Sequence, residues 1–321
     1  MNLRQKLKHI PLMNDAYKTY ISHTRLTSRY KIFGNIKNSE NLVIILAGYK
    51  EFLWNSVFYR LDKFLPKDNK FEVCIVSSGI YSEKLKEIAQ KHNWVYMSVT
   101  RNNVCLAQNT AINAFPNAKY IYKIDEDMFL TDGFFTKLKN TYNEVNKNTN
   151  YTCGFVTPLI PINGVGYVEI LKKYNKIKEF EERFHERVKY SASQSREIVK
   201  NPKVAEYFWG NASGLPSIDN INKDFNKSNI TFKISPNLYS IGAILFERKF
   251  WQDMNMFPVS RFGTDMGLDE YRMNAQSFCD FKAVVISMKT VVGHFSYGPQ
   301  TKMMREFYNK HPENFDMSNE E

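Results

Sequence analysis

Between residues 41 and 130 the spacing of apolar positions changes repeatedly, and each change marks a change of element. Asn41-Leu-Val-Ile-Ile-Leu-Ala-Gly48 is a short continuous apolar run, the pattern of a strand covered on both faces. From Tyr49 to Leu65 the apolar residues move to helical spacing, with Phe52, Val57, Leu61 and Leu65 among them. Phe71-Glu-Val-Cys-Ile-Val76 reads as a second strand and Ser77-Ser-Gly-Ile-Tyr81 as a turn. Ser82 is placed to cap the next helix: Glu83 and Glu87 suit its positive end, and Leu85, Ile88 and Ala89 form its inner stripe. Trp94 to Thr100 is a third strand, Asn103 to Ala114 a helix stopped by Pro116-Asn117, and Tyr120 to Ile124 a fourth strand. Regular alternation of strand and helix predicts an α/β fold with a mostly parallel central sheet flanked by helices.

After Pro158-Leu-Ile-Pro-Ile-Asn-Gly164 the pattern becomes helical and charge-rich, so residues 164–237 read as a helical insertion. Glu169 to Val188 is predicted as helix, supported by spacings such as Glu179 with Arg183, and Asn201-Pro202 interrupts the helical run. Tyr207-Phe-Trp209 brings three aromatics together; their faces suit sugar rings, but packing is the favoured reading. Ser240 to Trp251 reads as strand and turn, Phe262 to Arg272 as a glycine-containing loop entering a helix, and Ala283 to His294 as a β-rich run ending in Gly-His.

The candidate chemistry begins in Lys119-Tyr-Ile-Tyr-Lys-Ile-Asp-Glu-Asp-Met-Phe-Leu130. Alternation along a strand sends Asp125 and Asp127 to one side at its carboxyl end, where open α/β sheets hold ligands. Two hard oxygen donors there suit a hydrated divalent cation. The competing reading is a solvated acidic turn.

With these elements in order, the chain resembles the nucleotide-sugar-dependent glycosyltransferases of the GT-A fold, most nearly their large family 2 group. The resemblance covers residues 41–135 and, less fully, 238–298. It implies a nucleotide-sugar-binding half (41–135) and an acceptor and catalytic half (238–300); charge and periodicity add a basic N-terminal arm (1–40), a connecting and helical insertion region (136–237) and a C-terminal tail (301–321). The loop holding Ala47, Gly48 and Tyr49 and the turn of Ser77, Ser78 and Gly79 would embrace the nucleotide. The family often carries a uracil-reading aspartate in that turn; the two serines leave the base open, with a UDP-sugar as the expected donor. Arg101 to Ile112 matches the helix that packs on the nucleotide, with Arg101, Gln108 and Asn109 as contacts.

Asp125-Glu126-Asp127 matches the metal motif. Asp125 would face the ribose and the hydration shell of Mn2+ or Mg2+, Asp127 would bind the ion directly, and Glu126 counts among the nucleotide-contacting residues. His294 is the implied third ligand. In inverting members a carboxylate in a Gly-x-Asp-Glu stretch serves as base, which gives Asp269 that role with Glu270 as neighbour or substitute. On its own, Asp269 reads equally as a first-turn carboxylate at a helix start. The implied activity is inverting transfer of a sugar from a nucleotide diphosphate to a hydroxyl of a glycan or lipid-linked acceptor, in surface polysaccharide biosynthesis.

Composition narrows the alternatives. The 321 residues, 43% of them hydrophobic, can bury a large core. Apolar runs are too short for a membrane span, and the charged N-terminus lacks the apolar core of a signal peptide. Cys74, Cys105, Cys153 and Cys279 are widely spaced without C-x-x-C pairing, the usage of reduced thiols in a cytoplasmic protein. Asn211-Ala-Ser213 is then a chance sequon.

Net charge is +11, and the arm alone carries Arg4, Lys6, Lys8, Lys18, Arg25, Arg29, Lys31 and Lys37 against Asp15 and Glu40. It reads as surface helix and coil. It is either a solvated tail or a peripheral contact with an anionic membrane face, and no nucleic-acid module accompanies it. Ala47-Gly48-Tyr49-Lys50-Glu51 is neither the glycine-rich basic loop of a nucleotidyltransferase nor G-x-G-x-x-G. The alternative from another class is a non-catalytic carbohydrate-binding or scaffold protein.

Overall fold

A computed structural model describes residues 16, 19–20, 23, 25–26, 28–191, 196–210 and 213–317. Arg4, Lys6, Lys8 and Lys18 of the arm, Asn211 and Ala212 of the sequon, and residues 318–321 of the tail lie outside the described residues. The chain divides into two compact units, one of residues 1–48, 72–121 and 247–272, the other of residues 49–71, 122–246 and 273–321.

The first unit is built on β1 (Tyr30–Phe33), β2 (Asn41–Leu46), β3 (Phe71–Ser78) and β4 (Val95–Val99), in the order β1-β4-β3-β2. β3 and β4 run parallel, with Cys74 opposite Val95 and Ser78 opposite Val99. Leu42, Val43, Ile44 and Ile45 are all fully buried, which accounts for the unbroken apolar run of β2. The helix Glu83–Lys91 starts where expected: the Ser82 hydroxyl accepts the Leu85 N–H at 3.3 Å, and Leu85 and Ala89 are buried. Asn103 caps Val104–Ala114 in the same way, accepting the Leu106 N–H at 2.9 Å. β1 departs from the helix and coil expected for the arm. It pairs antiparallel with β4, Tyr30 opposite Val99; Tyr30, Lys31 and Ile32 are exposed, so an edge strand held by backbone pairing leaves no alternating pattern to read.

The second unit contains β5 (Tyr120–Asp125, from Tyr122 onward), β6 (Met128–Phe129), β7 (Thr152–Leu159), β8 (Phe232–Ile234), β9 (Ala243–Glu247), β10 (Lys282–Val291) and β11 (Gly293–His294). Its main sheet runs β5-β9-β7-β10-β8, with β7 and β10 parallel and β8 and β9 antiparallel to their neighbours β10 and β7. Helices Phe134–Asn148 and Ile218–Asn226 pack against β10. A separate two-stranded ribbon joins β6 to β11, Gly293 opposite Phe129 and His294 opposite Met128. The α/β architecture of sheet flanked by helices is the one the periodicity predicts.

Within the helical insertion, Glu169 to Val188 is not one helix. It breaks into Gly166–Lys173 and Ile177–Phe184, with Asn175 between them at φ 56° and His185 ending the second at φ 51°. Asn tolerates the left-handed region better than most residues, and a charge pattern alone does not register such a stop. The break at Asn201-Pro202 forms as read: Asn201 caps Pro202–Phe208 and accepts the Lys203 N–H at 3.0 Å. Tyr207, Phe208 and Trp209 are buried, with Tyr207 and Phe208 packed on Phe180, in line with the packing reading.

One buried cation organises the far side of this unit. Arg60 directs all five N–H donors to protein oxygens: Asp219 at 2.9 and 2.8 Å, Leu130 O at 3.0 Å, and Phe315 O at 3.0 and 3.3 Å. Among the described residues no helix is long and apolar enough to cross a membrane.

Candidate functional site

β5 delivers the chain to Asp125, and its neighbours fix the exit. Lys123, buried, forms a 2.7 Å ion pair with Asp125 and donates to Ile241 O at 3.0 Å. The Asp125 N–H donates to Gly242 O at 2.7 Å. A Cβ on Gly242 would stand 2.9 Å from the Met128 sulfur, so a larger residue there would have to displace the end of that side chain.

The strand ends at Asp125, and Glu126 and Asp127 form a turn before β6. Strand alternation therefore does not govern Asp127, contrary to the sequence expectation. Asp125 is half-exposed and engaged by Lys123, whereas Asp127 is buried.

Asp127 meets His294 through the β6–β11 ribbon. The His294 Nε2 lies 3.4 Å from Asp127 Oδ2, and the Phe295 N–H donates to Asp127 O at 2.9 Å. Trp209 Nε1 donates to His294 O at 3.1 Å. A Cβ on Gly293 would sit 2.5 Å from the Trp209 ring, which explains why a glycine precedes the histidine. The other ring nitrogen, His294 Nδ1, is buried and has no hydrogen-bond partner. Among the described residues no three His, Cys, Asp or Glu side chains gather closely enough to hold a metal. Of the sequence-predicted trio, Asp127 and His294 meet directly, while Asp125 pairs with Lys123 and stands close enough to Lys50 to act on its charge.

Two residues complete the cluster. Lys50 places its ammonium on Asp127 Oδ2. Glu126 accepts from the Tyr49 N–H at 2.9 Å and from Trp54 Nε1 at 2.7 Å, which pins the start of the 49–54 turn to the acidic motif. Burial by itself would raise the Asp127 pKa, but the Lys50 ammonium and the His294 imidazole outweigh it and hold the carboxyl far below its ordinary range. For Lys50, burial opposes the charge and Asp127 overcomes it, so its pKa is raised. Sequence reading missed Lys50; its one signal was a lysine directly after the loop named for nucleotide contact. The Asp127 carboxylate and the His294 Nε2 that faces it are the oxygen and imidazole donors that suit a divalent cation.

In the first unit the remaining candidates are tied into their own framework. The Ala47 N–H donates to Val76 O at 3.0 Å, and a Cβ on Gly48 would meet the Ile80 side chain at 2.7 Å. Ser77 Oγ donates to Ile80 O at 2.7 Å and lies 2.8 Å from the Tyr96 hydroxyl. Ser78 Oγ accepts the Asn103 N–H at 2.7 Å, and the Gly79 N–H donates to Val99 O at 2.8 Å. Arg101 donates to Arg261 O at 3.0 Å and to Ser260 O. Asn109 is fully buried, donating to Phe257 O and accepting from Trp251 Nε1; it pins the 251–257 segment to its helix.

Gln108 reaches the predicted base. Its Nε2 donates to Asp269 Oδ2 at 2.7 Å, while its own Oε1 is buried without a partner. Asp269 Oδ1 accepts the Glu270 N–H at 2.9 Å, the geometry of a carboxylate in the first turn of Leu268–Cys279. Just upstream, Asp265, at φ 54°, accepts from Ser260 N–H at 2.8 Å and from the Ser260 hydroxyl and the Asn103 amide. Sequence reading did not single it out.

No protein-family model matches the chain, and no curated protein matches it. Among solved structures it is similar to GalNAc-T7 with UDP, GalNAc and Mn2+, at 13% identity and a TM-score of 0.47, over 87% of this chain and 52% of that one. It is also similar to a mannosyltransferase from Pyrobaculum calidifontis in complex with GDP-Man and Mn2+, at 14% identity and a TM-score of 0.45, over 87% of this chain and 63% of that one. The chain thus spans less than two thirds of the length of either.

Proposed function

We propose that this chain is a metal-dependent glycosyltransferase of GT-A fold that moves a sugar from a nucleotide-diphosphate donor to a hydroxyl of a glycan or lipid-linked acceptor. The observation that carries the reading is the meeting of Asp127 and His294, drawn together from distant parts of the chain by the β6–β11 ribbon. Asp127 and His294 would hold Mn2+ or Mg2+, with Asp125 turned toward the donor's ribose. Bound there, the ion would offset the charge that develops on a departing diphosphate.

Asp269 is the proposed general base for an inverting displacement. Its carboxylate accepts from Gln108, which orients it, and its second oxygen is held by the Glu270 N–H. One such group suffices to take the proton from an acceptor hydroxyl, and no nucleophilic carboxylate is required. The Ala47–Tyr49 loop, the Ser77–Gly79 turn and Arg101 are proposed to line the nucleotide, with a UDP-sugar as the donor and a surface polysaccharide or glycolipid precursor as the product.

Thermal shift against a panel of nucleotide sugars, with and without Mn2+, tests the donor. A melting point raised by one nucleotide sugar only when Mn2+ is present supports the reading. Sugar transfer that survives both Asp127→Ala and Asp269→Ala would refute the assigned roles. Binding of a sugar without transfer from any donor would favour the non-catalytic alternative.

A further inference from the structure

Lys50 occupies the oxygen that a metal ion would need. Its ammonium sits on Asp127 Oδ2, the same atom that faces His294 Nε2. An ammonium and a divalent cation compete for the same lone pairs, because lysine offers donors and a positive charge but no acceptor. Its place is built rather than incidental. Glu126, the middle residue of the acidic motif, accepts from the backbone N–H of Tyr49 and from Trp54 Nε1, and these bonds fix the turn that carries Lys50. The Lys50 side chain is 27% exposed, whereas that of Asp127 is 6% exposed. The ammonium can therefore withdraw toward solvent, while the carboxylate cannot leave the interior.

We propose that Lys50 is a resident counter-cation that keeps Asp127 neutralised until a divalent ion displaces it, and that Glu126 is the positioning residue that sets it there. This rests on the metal site proposed above. It follows that the metal-free protein binds Mn2+ weakly, since each ion must evict an ammonium. It also follows that removing the ammonium strengthens Mn2+ binding rather than weakening it. A lysine serving only to bind the donor would leave the affinity for Mn2+ alone unchanged.

The test is Mn2+ titration of the full chain without nucleotide sugar, free ion being counted by its paramagnetic resonance signal. Lys50→Met is compared with the unaltered protein, with Lys50→Gln as a second variant in case the first misfolds and Asp127→Asn as the control for location. The expected result is Mn2+ binding about tenfold tighter in both Lys50 variants, the size of one lost charge repulsion at a partly exposed site, and loss of binding in Asp127→Asn. Equal affinity in the Lys50 variants and the unaltered protein, with binding still lost in Asp127→Asn, overturns the displacement and leaves the metal site standing. Weaker binding in the Lys50 variants also overturns it. Binding unaffected by Asp127→Asn overturns both readings.

Discussion

Two buried ion pairs in the second unit are built to opposite plans. Arg60 and Asp219 meet through two parallel bonds, and the remaining guanidinium donors are taken up by Leu130 O and Phe315 O. Their side chains are only 2% and 11% exposed. Lys50 and Asp127 meet through a single ammonium on one oxygen, beside an imidazole whose Nδ1 has no partner. The first pair uses every donor and has nothing left to offer a ligand. The second is shallow on the lysine side, with its ammonium reachable from solvent. A saturated, buried pair holds structure, because removing either partner strands a buried charge; the cation exchange proposed above needs a pair of the second kind.

The widest gap between the two should appear in stability. Asp219→Ala leaves the Arg60 guanidinium uncompensated and is expected to cost about 3–5 kcal/mol, read as a lowered midpoint in urea unfolding. A loss below that of an ordinary surface substitution would break the comparison, since Arg60 would then not depend on its partner.

A smaller effect is expected at Gly293→Ala. The added Cβ would enter the Trp209 ring at 2.5 Å, and relieving that overlap is expected to cost about 1–3 kcal/mol. It would also move His294 relative to Asp127, so Mn2+ affinity should fall along with the melting temperature. Lowered stability with unaltered Mn2+ binding would show that the ribbon packs the core without positioning the imidazole.

The smallest effect concerns a carboxylate held mainly by neutral donors. Burial raises the Asp265 pKa, but hydrogen bonds from Ser260 and Asn103 and the nearby Arg101 outweigh it and lower it. A group whose folded pKa is depressed contributes stability that is present above its unfolded value, about 3.9, and is lost as pH falls through the folded one. Asp265→Asn should therefore flatten the loss of stability on acidification below about pH 4, measured by melting temperature against pH. An unchanged acid limb would mean that this loop contributes nothing to it.

Much of the frame was legible from local pattern. The runs of β2, β3 and β5, the Ser82 and Asn103 caps and the break at Asn201-Pro202 all follow from side-chain period and from residues that compete for helix-end N–H groups. The neighbourhood of the acidic motif was legible for the same reason: a strand must end where its apolar run stops.

What lay beyond that reading has two sources, contacts between residues far apart in the chain and single backbone conformations that side-chain period does not mark. β1 is held by its neighbour's backbone, and the stop at Asn175 by one left-handed residue. Asp125, the last residue of β5, pairs with Lys123 two residues before it, and the turn that follows takes Asp127 out of the strand's alternation. Glu126 appears in the sequence as the residue between two ligands, and in the structure it is the anchor of the 49–54 turn.

The sequence by itself determined where strands and helices fall and where a cluster of carboxylates stands at a strand's end, because those properties are carried by neighbours a few residues away. Only the tertiary structure decided which cation meets a carboxylate from a distant part of the chain: Lys50 and His294 for Asp127, Arg60 for Asp219. The physical reason is that a charge pair forms where strand pairing and helix packing bring two side chains together, and nothing in the local period encodes that meeting.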